Sequence, residues 1–500
     1  MQILQVASEI TPIAKVGGLG DVLMGLTREL SWKGHEVLAV IPFYGLIDGE
    51  QLNSDGRVDW FDTEFDGVSH RACVSYFHIH NDIPIALLDT ATGYFRNRRT
   101  IYGDGDSVAS FLFFCRAVSD WLVATKRHPD IIHAHDWPTA LLPAIYKIVS
   151  QEKPSFTSVL TIHNFDYQGR CDWRELSRVG IHPKDFPDPS ILQDPAHDCI
   201  NLVKGGLLSV DRATTVSPTY AREMVTPEEG QGLDTVLAGL SEGFVGILNG
   251  LDYAYWNPEI DTHIAKRYDA SQKAEQIRAA KQQNKEHLFF NIGVPVLPGV
   301  PLIASVTRLV KQKGIYLIRD LLAQAEALNF QCLVLGSVPE PEAEIAFAEL
   351  DAFLRAKGRG AIFLMSDEAF AHRAYAAADI FVTPSLFEPC GLTQLIALKY
   401  GAIPVVRRTG GLADTIIDVQ KDLSTSNGFT FQPPDSAHFT SAVSRALGLF
   451  HDKERWEELM LRGMKQNFSW DRPASQYVSL YTSPQIGEGS KAIVENDKSS

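Results

Sequence analysis

Paired cysteines are missing from this sequence. Its six cysteines (73, 115, 171, 199, 332 and 390) are scattered over 500 residues without a C-x-x-C pair. That spacing argues against a disulfide framework or a zinc site and for reduced thiols. A cationic excess is missing too. The net charge is −15, so neither nucleic acid nor an anionic membrane is an expected partner. No apolar run reads as a bilayer span, and the stretch 294–306 is broken by three prolines. The first residues lead straight into an apolar strand, without a basic n-region or an apolar h-region, so secretion is not expected. A cytoplasmic location is the expectation. Short-period repeats are also absent.

What is present is an alternation of short apolar runs and amphipathic stretches. In the first half the pattern predicts strands at 3–7, 37–41, 85–88, 131–134, 159–162, 213–216 and 245–248. Helices are predicted at 19–30, 108–125, 139–148 and 217–225. The second half restarts the alternation, with strands at 302–306, 332–335, 362–364, 380–383 and 404–406. Strands separated by crossover helices mean parallel, doubly wound sheets. The fold class is therefore α/β, with two Rossmann-like domains facing a cleft. The expected domains are 1–248 and 249–470, with a hinge near 249–258. A C-terminal helix at 471–482 is expected to pack back on the first domain, ahead of a loose polar tail at 483–500.

Ligands of such sheets bind outside the carboxyl ends of the strands, where the turns lie. The candidate residues lie there. After the first strand, Lys15-Val16-Gly17-Gly18-Leu19-Gly20-Asp21-Val22 opens a helix. Glycines admit close approach, a helix start offers N–H groups, and Lys15 adds charge, a combination suited to an anion such as phosphate. In the second half, Arg308 and Lys313 follow a strand in Thr307-Arg308-Leu309-Val310-Lys311-Gln312-Lys313-Gly314. A guanidinium fork and an ammonium suit a diphosphate. Glu388, in Phe387-Glu388-Pro389-Cys390-Gly391-Leu392-Thr393, can accept hydrogen bonds from ligand hydroxyls, while Gly391, Leu392 and Thr393 begin a helix. Gly410 and Gly411 mark a third glycine-rich helix start. Together these features describe a nucleotide-diphosphate sugar held in a cleft, which is expected to close around it.

Metal binding is the weaker reading of the histidines. His133 and His135 share one face of a strand, but no third ligand has suitable spacing. His78 and His80 read as an edge-strand feature. His163, at the end of Thr161-Ile162-His163-Asn164, is open to a structural or a functional reading. Asp104-Gly105-Asp106 has the form of a sugar-transferase metal motif, yet it lies in a long polar loop and is read as that loop.

These segments resemble the bacterial glycogen synthases and plant starch synthases, retaining glycosyltransferases of the GT-B type. The resemblance rests on KVGGLGDV (15–22), HAHDW (133–137), TIHN (161–164), VSPTYA (216–221), ILNGLD (247–252), TRLVKQKG (307–314), FEPCGLTQL (387–395) and RRTGGLADT (407–415), in family order. It implies transfer of glucose from ADP-glucose to the non-reducing end of an α-1,4-glucan, with retention and without a metal or other cofactor. The glucan acceptor is implied on the side of the first domain and the donor on the side of the second. It further implies catalytic roles for Glu388, Arg308, Lys313, His163 and Asp136. Substrate binding is implied for Lys15, Gly17, Gly18, Asp21, Asn164, Asn249, Cys390, Gly391, Leu392, Thr393, Gly410 and Gly411. Wider retaining relatives carry a second Glu eight residues after the first; Ile396 stands there, as in the glycogen synthases. Three alternatives remain open: a phosphorylase, for which no lysine segment of the pyridoxal-phosphate type is found; a sugar-nucleotide epimerase; and a non-catalytic glucan-binding relative. The last is expected to have lost Lys15, Arg308, Lys313 or Glu388, and all four are present.

Overall fold

The computed structural model describes residues 1–79, 83–150, 154–240, 244–420 and 424–483. The chain divides into two compact units. The first comprises residues 1–250 with the C-terminal segment from 470, the second residues 251–469.

Unit 1 is built on a nine-stranded sheet. Across it run Phe244–Gly246, Arg212–Thr215, Thr157–Ile162, Ile131–His135, Gln2–Val6, Glu36–Pro42, Ile83–Thr90, Val68–Ile79 and Asn53–Phe65. The first seven pair in parallel; the last two add an antiparallel extension. Strand order reverses between Gln2–Val6 and Ile131–His135, so a crevice opens outside the C-terminal ends of these two strands.

The antiparallel extension was not anticipated. Its outer strand, Asn53–Phe65, is charged and mostly exposed, so it has no apolar run to detect. The turn at Asp66-Gly67 has positive φ at both residues (52° and 70°), the geometry that joins a two-residue hairpin. His78 therefore lies on a strand flanked on both sides, which corrects its reading as an edge feature; His80 lies outside the described residues. The helix expected at 139–148 is also corrected. It is two helices, Asp136–Thr139 and Leu142–Val149, the second beginning with Pro143 in its first turn, where a missing N–H costs no hydrogen bond. The helix Ser107–Ala124 meets the length and hydropathy of a bilayer span, contrary to expectation. It is 72% buried, however, and forms the centre of a core with Phe61, Phe65, Ile145 and Tyr146.

Before Asp471–Thr482, Trp470 caps the helix start; together they pack on Gly18–Trp32, burying Val22, Leu26, Leu30, Trp470, Ala474, Tyr477 and Tyr481 in one cluster. Of the tail expected at 483–500, residues 484–500 lie outside the described residues.

Unit 2 has a six-stranded parallel sheet in the order Gly360–Phe363, Gln331–Leu335, Leu302–Val306, Ile380–Thr383, Ile403–Arg407 and Phe429–Phe431. Numbered along the unit this is 3-2-1-4-5-6, the order of a dinucleotide-binding fold. Its switch point falls between Leu302–Val306 and Ile380–Thr383. The strands are apolar on both faces because helices cover both sides, which is why they read as continuous runs.

Candidate active site

The two switch points gather the candidate residues of each unit separately. In unit 2, Gly314 turns the chain at φ 70° so closely against the end of Ile380–Thr383 that a Cβ would lie 2.3 Å from Pro384 O. The turn seats Lys311–Lys313 beside the loop 384–391, and Leu386 N donates to Gln312 O at 2.7 Å. Across this seam Lys313 Nζ meets Glu388 Oε2 at 2.5 Å, and Ser385 Oγ donates to the same oxygen at 2.9 Å. Glu388 is only 6% exposed. Its charge is thus held by an ammonium and a hydroxyl in a place where an unpaired carboxylate would be costly. Arg308 follows the neighbouring strand and is exposed. No carboxylate among the described residues is paired with it.

Beyond Glu388, Cys390 is buried, while Gly391, Leu392 and Thr393 are half-buried ahead of the helix Thr393–Lys399. Gly410 and Gly411 require a different account from the anion-receptive start expected of them. Gly411 N donates to Glu388 O and Pro389 O, both at 3.1 Å. A Cβ at Gly410 would lie 1.9 Å from Glu388 O, and one at Gly411 would lie 2.0 Å from Cys390 O. These glycines let the Glu388 loop lie directly on the next helix start. Their role here is positional.

Unit 1 makes a parallel correction at its glycine loop. Val16 N and Gly17 N donate to the carboxylate of Glu9, at 2.6 and 2.9 Å, and Tyr102 OH donates to its other oxygen at 2.7 Å. The loop therefore carries an internal anion in place of free N–H groups. Lys15 Nζ and Thr11 Oγ1 both donate to Asp21 Oδ1 at 2.9 Å. Gly18 begins the helix and is exposed, and a Cβ at Gly17 would meet nothing within 4 Å, so the outer face of the loop stays open.

Asp136 turns the chain at the end of Ile131–His135 with φ 55°, a left-handed conformation that Asp tolerates better than most residues. Its Oδ1 accepts the backbone N–H of His163 at 2.6 Å and of Asn164 at 3.4 Å, tying two strand ends together. Burial pushes its carboxyl up to about 7, against these two hydrogen bonds. His163 is half-buried, and burial pulls its imidazole down to about 3, so it is neutral at pH 7. Asn164 Oδ1 accepts from Asp166 N at 3.1 Å. Asn249, 7% exposed, keeps a buried Oδ1 without a hydrogen-bond partner, an acceptor waiting for a donor group.

His133 and His135 are fully buried. Among the described residues no group of three or more His, Cys, Asp or Glu is placed to hold a metal ion. Asp104 and Asp106 pair with Arg98 in their loop. Sequence reasoning missed Glu9, Ser385 and the link from His135 to His163. Glu9 had a signal, since a lone acidic residue follows the apolar first strand; the others depend on contacts between distant segments.

Known protein families match both units of the chain. The model of the starch synthase catalytic domain matches residues 2–239, and that of glycosyl transferases group 1 matches residues 294–458. A glycogen synthase of Protochlamydia amoebophila is 40% identical over 96% of this chain and 99% of its own. One from Geotalea uraniireducens is 38% identical over 96% and 98%. The catalytic domain of starch synthase IV from Arabidopsis thaliana, solved with ADP and acarbose, superposes with a TM-score of 0.90 at 36% identity over 96% of this chain and 98% of that one. With identities of this size over nearly the whole length, the chain belongs to the glycogen and starch synthase family of glycosyltransferases.

Proposed function

We propose that the protein transfers glucose from ADP-glucose to the non-reducing end of an α-1,4-glucan, forming an α-1,4 bond with retention of configuration. The observation that carries this reading is the Lys313–Glu388 pair at the switch point of unit 2, where a nucleotide-binding sheet presents its ligand. Breaking the glycosyl–phosphate bond builds negative charge on the departing diphosphate and positive charge on the sugar ring. Arg308 and Lys313 supply the countercharge, and one preorganised group aimed at such charge is worth about 100–1,000-fold in rate. Glu388 accepts hydrogen bonds from glucose hydroxyls, and its buried oxygens are already polarised for that role by Lys313 and Ser385. From unit 1, His163 and Asp136 contact the glucose, Asn249 offers its unpaired oxygen, and Lys15 with the outer face of the Gly17-Gly18 loop binds donor phosphate. In this reading the protein's own cations take the part a metal would otherwise play. The free thiols and acidic charge suit a cytoplasmic setting, with a nucleotide sugar and a glucan as partners.

A donor-competition assay tests the proposal. Purified protein given glycogen and both nucleotide sugars is expected to incorporate glucose from ADP-glucose in preference to UDP-glucose. No incorporation from either donor rejects the assignment.

A further inference from the structure

Beneath His163 runs a buried hydrogen-bond network that spans four strands and the C-terminal helix of unit 1. His163 Nε2 lies 3.0 Å from His135 Nδ1, and His135 Nε2 lies 2.7 Å from Gln5 Oε1. The other end of the same amide, Gln5 Nε2, donates to Tyr481 OH at 3.3 Å. Tyr481 OH in turn lies 2.8 Å from His133 Nδ1, His133 Nε2 lies 2.6 Å from Thr161 Oγ1, and Thr161 Oγ1 lies 2.6 Å from Thr214 Oγ1. Gln5, His133, His135, Thr161 and Thr214 have no exposed surface.

The proton positions in such a chain follow from one end. An amide oxygen can only accept, so His135 carries its proton on Nε2. Burial holds His135 and His133 in the neutral form. Neutral His135 then has a bare Nδ1, which accepts only if His163 is protonated on Nε2. The second branch closes in the opposite sense: Tyr481 accepts from Gln5 and donates to bare His133 Nδ1, and His133 Nε2 donates to Thr161. With the amide in this orientation every group of the chain has a partner. Turning the Gln5 amide over would reverse both branches.

We propose that Gln5 and His135, anchored by Tyr481, are positioning residues that fix His163 as the Nε2–H tautomer and so leave its Nδ1 an acceptor for a glucose hydroxyl of the donor. The last step rests on the reading of His163 given above; the tautomer itself does not. Gln5 lies on the first strand and Tyr481 on the last helix, so the two ends of the chain jointly set the proton on a residue that neither touches.

Side-chain 15N spectra of the ligand-free protein test this directly, with the His163 signals identified by their loss in His163→Gln. The expected result is a protonated Nε2 and a bare Nδ1. A protonated Nδ1 overturns the proposal. In Gln5→Met, close in volume but without the acceptor, His163 is expected to become a mixture of tautomers, with kcat/KM for ADP-glucose down about tenfold, the worth of about one hydrogen bond. Tyr481→Phe, which frees the amide to turn, provides the same readout if Gln5→Met does not fold. An unchanged His163 tautomer in a folded variant contradicts the role of that residue. Wild-type turnover in His163→Gln would instead remove His163 from the sugar site and leave the tautomer assignment standing, so the two failures are separable.

Discussion

Lys313 and Glu388 show how one contact prepares both partners. Each is a charge that burial would penalise alone, and each is held by the other. Truncating either removes more than a contact. Lys313→Ala leaves Glu388 with Ser385 and, under the proposed function, takes a cation from the departing diphosphate. Glu388→Ala, under the same proposal, removes the acceptor for the glucose hydroxyls. Each is expected to lower turnover by at least about 100-fold, with the fold intact by circular dichroism. Wild-type rates in well-folded variants would show that the reacting groups lie elsewhere. These two residues were legible as candidates because they stand in strand-end loops of a parallel sheet, where ligands of such sheets bind, and their residue types suit a charged ligand. The glycines were only half legible. Their need was evident, but whether a glycine serves a ligand or a neighbouring loop depends on what lies 2 Å away, as at Gly410 and Gly411, and adjacent sequence does not hold that information.

Among the elements, most parallel strands were readable as short runs buried on both faces, but the three-residue strand Phe429–Phe431 was too short to stand out and was not expected. The hairpin built from Asn53–Phe65 and Val68–Ile79 was not, since its outer strand is polar and its Asp66-Gly67 turn was the one available mark. Helix packing yields a prediction that runs against propensity. Gly25 lies within Gly18–Trp32, where alanine would ordinarily stabilise a helix by about 1 kcal/mol. Here a Cβ would lie 2.0 Å from Trp470 Nε1, so Gly25→Ala is expected to destabilise by about 1–3 kcal/mol, read as a lower urea midpoint. A higher midpoint would mean that the contact between these helices is looser than described. The short sheet of Arg170–Cys171 and Ile200–Asn201 supplies a pH test. Burial alone would raise the Asp194 carboxyl, but hydrogen bonds from Arg170, Asn201 and His197 hold it well below the usual carboxylate range. A depressed folded value means stability that is full above the unfolded pKa near about 3.9 and is lost as pH falls toward the folded one. Asp194→Asn should therefore cost about 3 kcal/mol at pH 7, with the gap from wild type narrowing below about pH 4. A gap that is independent of pH contradicts the pairing.

For the molecule as a whole, each unit carries its own Rossmann-like sheet with candidate residues at its strand ends, and both sheets were evident from the alternation of elements. What stayed hidden is the wiring between distant segments: Glu9 filling the first glycine loop, and the C-terminal helix reaching His133 directly and His135 through Gln5. Both contacts join residues far apart along the chain, and nothing in local pattern announces them. The chemistry can be followed in one experiment, proton NMR of the protein turning over ADP-glucose with a short maltooligosaccharide. The account predicts release of ADP matched by growth of the α-1,4 anomeric signal, with no β-linked product. A β-anomeric signal, or ADP released with free glucose and no longer glucan, would contradict it.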